Sequence, residues 1–279
     1  MIQHFILSRF NLRLWNRDKS GSPVRTYAWL AHRFSLFERY CLPSLIGQTC
    51  QNFTWIVLFD SQTPEEFKAR ITDFQRRCPQ LVPVFVEPQE GRYFAQFFGE
   101  EVRKRMDSSA RVLSTYLDND DALNVRFVED IQNRSESLRD GTFITYIDGY
   151  QYYTDHHYAM RIHYPRNHFV SVIEKNDRSN VRTIYGYGSH YYLVKIPGVR
   201  IEQISGSRMW CEVIHEKNMG NDAYFLQAIM EKDHALLQRD FSIDEPLQHG
   251  TLLYLFRFLP RYCRTFVRRT KNYLFGRKW

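Results

Sequence analysis

The block Tyr116-Leu117-Asp118-Asn119-Asp120-Asp121-Ala122-Leu123 runs an apolar stretch directly into three carboxylates. Asp118 and Asp120, one residue apart, can point the same way off an extended strand end. Together they can hold a hard divalent cation (Mn2+ or Mg2+) through oxygen. Such a cation can hold a diphosphate and neutralise it as it departs. The competing reading is an acidic turn in which Asp121 or Asn124 caps the next helix. Asp60 closes a second apolar run. There a carboxylate can accept the imide N–H of a uracil or thymine, or serve as a turn and cap residue. Arg9, Asn11 and Arg13 follow the first apolar run, where arginines can grip a diphosphate at two points or lie in a solvated loop. In the segment from Trp210 to Asp222, His215 can be a metal ligand or a diphosphate donor. Asp222 can act as a general base toward a hydroxyl. Spacing alone leaves open a structural histidine and a helix cap at Asn221 or Asp222.

These groups need elements to position them. Ile2 to Phe10 reads as a strand, and the unbroken run Phe53 to Phe59 suits a central parallel strand buried on both faces. Leu30, Phe34, Phe37, Cys41 and Leu45 mark one helix face, with Pro43 expected to kink it or end its regular part. Thr63-Pro64-Glu65-Glu66 reads as a helix start with a hydroxyl cap, running to about Arg77. Val82–Glu87, Arg111–Leu117 and Phe143–Tyr150 follow as strands, with helices over Phe94–Met106 and Val125–Leu138. This alternation predicts an α/β fold: a mostly parallel sheet with right-handed crossovers and helices on both faces. Asp60 and Asp118 should then open on one edge, where open parallel sheets bind ligands. Beyond Gln151 the pattern weakens. Tyr152–His163 reads as a hairpin, Asn176–Ser189 as a polar loop, Tyr191–Ile196 as a strand and Asp222–Glu231 as a helix.

Composition narrows the class. Of the 279 residues, 43% are hydrophobic and 25% charged, which excludes wholesale disorder. Apolar runs are too short to span a membrane, and the N-terminus lacks the basic and long apolar regions of a secretory signal. Cys41, Cys50, Cys78, Cys211 and Cys263 form no C-x-x-C. Reduced thiols and a cytoplasmic setting are expected.

Several blocks together resemble a known family. They are Arg9-Phe10-Asn11, Trp29-Leu30-Ala31-His32-Arg33-Phe34, Pro43-Ser44-Leu45, Phe53-Thr54-Trp55 leading to Asp60, Leu117 to Leu123, and Trp210 with His215 and Asn218. Over residues 1–225 the chain is similar to the rhamnosyltransferase family of bacterial polysaccharide biosynthesis, of the GT-A glycosyltransferase type. The resemblance implies a Rossmann-related GT-A-like domain, assigned to residues 1–250. It implies a nucleotide-sugar donor held by Arg9, Asn11, Arg13, Asp60 and Asn119. A divalent metal would sit on Asp118 and Asp120 with His215, and Asp222 would be the base of an inverting transfer. The acceptor would be a saccharide or lipid-linked. Tyrosines near 150–158 and 185–192 could stack on sugar faces.

The last stretch differs in kind. Eight basic residues and no acid follow Glu245, so of the formal +7 the rest of the chain accounts for −1. Arg257, Arg261, Arg264, Arg268 and Lys271 lie at helical spacing opposite Leu255, Leu259, Tyr262, Phe266 and Tyr273. Residues 251–279 are expected as a basic amphipathic helix, with 255–279 touching an anionic membrane surface at its inner face. No nucleic-acid-binding motif is present, so no nucleic acid is expected as partner.

Overall fold

The computed structural model describes residues 1–17, 23–107, 110–177, 181–215 and 229–248, together with Cys263 and Val267. At its centre lies β1 (Ile2–Arg9), parallel to β2 (Thr54–Asp60) on one side and to β4 (Arg111–Tyr116) on the other. β3 (Leu81–Val86) continues the parallel set beyond β2. The period of two places alternate side chains on opposite faces. Ile6, Trp55, Val57, Phe59 and Leu113 join one buried cluster, with Phe34 of α1 (Tyr27–Leu36), Phe74 of α3 (Glu65–Arg77) and Ile131 of α5 (Phe127–Ser137). Phe5, Leu7, Ile56, Leu58 and Val112 join another, with Phe98 and Val102 of α4 (Phe94–Arg105). The unbroken apolar runs thus exist because both faces are covered.

The second half adds antiparallel strands. β6 (Thr142–Tyr153) and β7 (Tyr158–His163) form the expected hairpin. β8 (Val170–Glu174) lies between β6 and β4, antiparallel to both. The sheet order is β10-β7-β6-β8-β4-β1-β2-β3, with β10 at Ile229–Glu231. β9 (Arg200–Ile214) pairs in parallel with β6 and antiparallel with the short β5 (Ala122–Leu123). The β6–β9 register shifts on either side of Asp148. Here Gly149 lets the Trp210 ring press onto the backbone, since a Cβ at Gly149 would sit 2.2 Å from it. Trp210 Nε1 donates to the Tyr146 carbonyl at 2.7 Å, and its ring stacks on Phe169.

Several local expectations change. The irregularity in the first helix precedes Pro43: a π-helical turn over Phe37–Cys41 links α1 to α2 (Leu42–Ile46), with Pro43 in the first turn of α2. There the missing N–H costs little. Thr63 does not cap α3. Its hydroxyl donates to the Asp60 carbonyl and accepts from Asn11 instead. The segment read as a strand at Tyr191–Ile196 is a 3₁₀ turn, His190–Lys195, and residues 229–231 of the expected helix are strand β10. The polar loop after Asn176 carries the one-turn helix α6 (Thr183–Gly186), and α7 (His234–Phe241) follows β10. Cys41, Cys78 and Cys211 are buried free thiols and Cys50 is half-buried. Asp222 and, apart from exposed Cys263 and Val267, the basic tail lie outside the described residues.

Candidate active site

The turn after β4 is built into the core rather than hung from it. Asn119 Nδ2 donates to the carbonyls of Arg9 and Phe10 at 2.7 and 3.0 Å, clamping the end of β1 to the end of β4. Asp121 is fully buried and both its oxygens are engaged. Oδ1 accepts from the Val213 N–H at 2.8 Å and Oδ2 lies 2.8 Å from His168 Nε2. Burial pushes the Asp121 carboxyl up to about 8, against the pull of His168. Burial opposes charge on His168, but the hydrogen bond and charge of Asp121 outweigh it and lift the imidazole to about 9. The pair therefore keeps a proton between its members at neutral pH. Asp121 anchors β5 and β9 beneath the turn.

Asp120 faces another way. Arg33 Nη1 reaches its Oδ2 at 2.5 Å, and His215 Nε2 lies 2.9 Å from the same oxygen. Burial disfavours the carboxylate, yet Arg33 and His215 together hold its pKa below the usual range. Asp118 is the more open carboxylate, with its side chain 32% exposed. Tyr116 donates to its Oδ1 at 2.8 Å while accepting from Arg9 Nη2 at 2.8 Å. Asp118, Asp121 and His168 bring ligand atoms within 4.8 Å of one another. Asp121 and His168 spend those atoms on each other and on β9, so Asp118 is the member of this group whose carboxylate is open to a hard divalent cation.

Two cavities open at the carboxyl ends of the parallel strands. The first, about 360 Å³, is lined by Asn11, Arg13, Trp29, Asp60 and Thr63 among others. Asn11 Oδ1 accepts the Asp60 N–H at 3.0 Å, and Arg13 Nε donates to Asp60 Oδ2 at 2.7 Å. The Trp29 indole N–H on its wall is buried without a partner. The second cavity, about 350 Å³, borders Arg9, Phe94, Tyr116, His168, Tyr185 and His190. It begins where the Arg9–Tyr116–Asp118 chain ends.

Residues 24–225 match the family described as "Putative rhamnosyl transferase". The chain belongs to this family. The match includes Asp60, Asp118 to Asp121, His168, His215 and Asp222, and leaves Arg9, Asn11 and Arg13 outside. Among solved structures, TarS 1-349 of S. aureus has a TM-score of 0.45 at 11% identity, over 76% of this chain and 60% of that one. The same TarS segment in complex with UDP has a TM-score of 0.46 at 10% identity, over 77% and 61%. This chain therefore spans about 60% of those TarS chains. No curated protein matches it.

Placed in the fold of this glycosyltransferase family, the residues picked out by spacing fall into two groups. Asn11, Arg13 and Asp60 meet in the first cavity. Arg9, Asp118, Asn119, Asp120 and His215 meet around the acid turn. From sequence alone Arg33, His168 and His190 carry no chemical role, while Tyr185 is among the tyrosines expected to stack on sugar faces and Tyr116 opens the acidic block. Arg33 reaches across 87 positions to Asp120 and His168 across 47 to Asp121, so no local pattern announces them. Asp121 sat in view within the acidic block, but its two-sided engagement is a tertiary fact.

Proposed function

We propose that the protein moves a sugar from a nucleoside-diphosphate donor to a saccharide or lipid-linked acceptor, with inversion at the anomeric carbon. The observation that carries this reading is the acid turn at the carboxyl edge of the parallel strands, with cavities of ligand size opening at the ends of β1 and β2 and of β1 and β4. Asp60 and Asn11 would take the base, with Arg13 beside them; the polar groups lining the first cavity support that use. Asn119 would keep the turn in register for the donor, and Arg9 would face its diphosphate or sugar end.

Asp118 and Asp120, with His215, would hold a divalent cation. Asp121 is less suited, because both its oxygens are committed inside the fold. When bound, the cation supplies Lewis-acid stabilisation to the departing diphosphate. Asp222 would take the proton from the acceptor hydroxyl as that oxygen forms its bond to the anomeric carbon and the bond to the diphosphate breaks. Arg33 keeps Asp120 ionised and oriented throughout.

A panel of nucleotide sugars, screened for thermal stabilisation with and without Mn2+, should single out one donor whose effect needs the metal. Asp118→Ala and Asp222→Ala should each lower transfer by at least about a hundredfold. Wild-type rates in both variants would overturn the reading. The basic segment 255–279 would hold the protein against an anionic leaflet. No helix among the described residues is long and apolar enough to cross a membrane. Deleting 255–279 should abolish binding to anionic vesicles, and unchanged binding would remove that part of the proposal.

A further inference from the structure

Between β8 and β9 the chain carries α6 and the 3₁₀ turn His190–Lys195. Three residues per turn put positions i and i+3 on one side. His190 and Leu193 form the inward side: both line the second cavity, and Leu193 is buried in the core cluster around Phe98. The other two sides carry Tyr191 with Val194 and Tyr192 with Lys195. Tyr191, Tyr192 and Val194 are 52%, 53% and 56% exposed. Elsewhere among the described residues, exposed large apolar side chains occur singly along the chain. The Lys195 ammonium lies over the Tyr192 ring, 4.7 Å from its centroid.

The turn stands on a fixed base. Glu174 of β8 accepts from the backbone N–H of Arg182 and Thr183 at 3.1 and 3.0 Å and from Tyr187 at 3.1 Å. Ser114 Oγ of β4 accepts from Ile184 N at 2.8 Å, and Tyr185 stacks on Phe98 at 4.7 Å between centroids. Within the turn, the Tyr192 N–H donates to the Ser189 carbonyl at 2.9 Å, and the Ile196 N–H to that of Leu193 at 3.0 Å. The exposed tyrosines are therefore presented by an ordered scaffold. The charge around them is of one sign. From Arg178 to Ile201 the sequence has four basic residues, Arg178, Arg182, Lys195 and Arg200, and no acid. Arg182, Lys195 and Arg200 are exposed.

Resting on the membrane contact proposed for the basic tail, we infer that the turn His190–Lys195 is a second membrane-contacting surface, which seats Tyr191, Tyr192 and Val194 in the headgroup region of an anionic bilayer. Tyrosine suits that boundary because its ring is apolar and its hydroxyl stays wet. Lys195 and Arg200 complement the negative charge of the leaflet. A protein partner fits less well. A stable protein interface takes about 20–30 residues a side, and this turn offers three large apolar groups. So small an apolar tip does not hold a protein on a membrane by itself; it adds to an attachment made elsewhere. Its particular effect is orientation. Ser189, His190 and Leu193 border the second cavity, so a seated turn sets that cavity at the bilayer surface.

The test uses the full-length protein and two variants. Tyr191→Ser, Tyr192→Ser and Val194→Ser together remove the apolar tip and keep its charges, and Tyr192→Trp places a fluorophore on it. Each is titrated with vesicles of phosphatidylglycerol and phosphatidylcholine in equal parts, and with phosphatidylcholine alone. The triple variant should bind the mixed vesicles at least about tenfold more weakly than wild type. Bromine on the lipid acyl chains should quench Tyr192→Trp beyond the quenching of the five native tryptophans. Wild-type affinity in the triple variant, or no added quenching in Tyr192→Trp, would overturn the inference. Equal wild-type affinity for phosphatidylcholine alone would overturn it too, because the one-sided charge would then count for nothing. If the wild type binds no anionic vesicle at all, the membrane reading of the tail fails first and the inference falls with it. A wild type that self-associates in sedimentation, beside a monomeric triple variant of equal vesicle affinity, would make the turn an interface between copies instead. Cooperative unfolding near the wild-type Tm separates a lost contact from a misfolded variant, and Tyr192→Trp keeps an aromatic ring in place should the triple variant fail to fold.

Discussion

Arg33 shows how much of this site depends on a single side chain. It is buried, on the inner side of α1, and its guanidinium meets Asp120 at 2.5 Å under the Trp29 ring. Removing one member of a buried ion pair leaves an uncompensated charge, which costs about 3–5 kcal/mol. Arg33→Met should destabilise the protein by about that much in urea unfolding, while Arg33→Met combined with Asp120→Asn should recover part of the loss. Equal stability of Arg33→Met and wild type would mean that the pair is not the constraint described. The coupling is measurable because the two residues share one contact. In the sequence Arg33 belongs to the block from Trp29 to Phe34 that carries the family resemblance, with no chemistry assigned to it. Nothing local marks it as the partner of a carboxylate 87 positions away.

At the scale of elements, β9 links the sheet to the site. Its end delivers the Val213 N–H to Asp121 and His215 to Asp120, and its side chain Trp210 locks it onto β6 over Gly149. A methyl group at Gly149 would meet the Trp210 ring at 2.2 Å, so Gly149→Ala must displace either the indole or the strand. Overpacking of this kind costs about 1–3 kcal/mol. A Tm lowered by several degrees, with a weakened near-UV tryptophan signal, is the expected outcome; an unchanged signal would show that β9 does not rely on this contact. β9 itself was not visible in the sequence, because Arg200–Ile214 lacks steady alternation and its first half is largely exposed. The 3₁₀ turn at His190–Lys195 was mistaken for a strand for the opposite reason. Tyr191-Tyr192-Leu193-Val194 has strand-forming residues, but only Leu193 is buried, and tertiary packing outweighs propensity.

The whole molecule carries a pH dependence set in its core. Burial lowers His4 from its ordinary 6.5 to about 3, where it lies 2.8 Å from Thr115 Oγ1 and is reached by Gln132. The folded state therefore refuses a proton that the unfolded chain accepts. The stability this contributes is present above about pH 6.5 and is lost as pH falls through that value toward 3. His4→Gln should flatten the decline of unfolding free energy across that window relative to wild type, and parallel curves would contradict it. The N-terminal half of the fold was legible from sequence. Its strands are buried on both faces, and burial on both faces writes unbroken apolar runs into the chain. The acid turn and Asp60 were legible for a related reason: they interrupt those runs, and a parallel sheet must bring strand ends of like direction to one edge. What the amino-acid order could not state is which carboxylate faces which cation. Asp118, Asp120 and Asp121 are near neighbours in sequence, yet Tyr116 and Arg9 hold the first, Arg33 and His215 the second, and His168 and the β9 backbone the third. Those partners arrive from separate elements, and only closure of the sheet brings them within hydrogen-bonding distance.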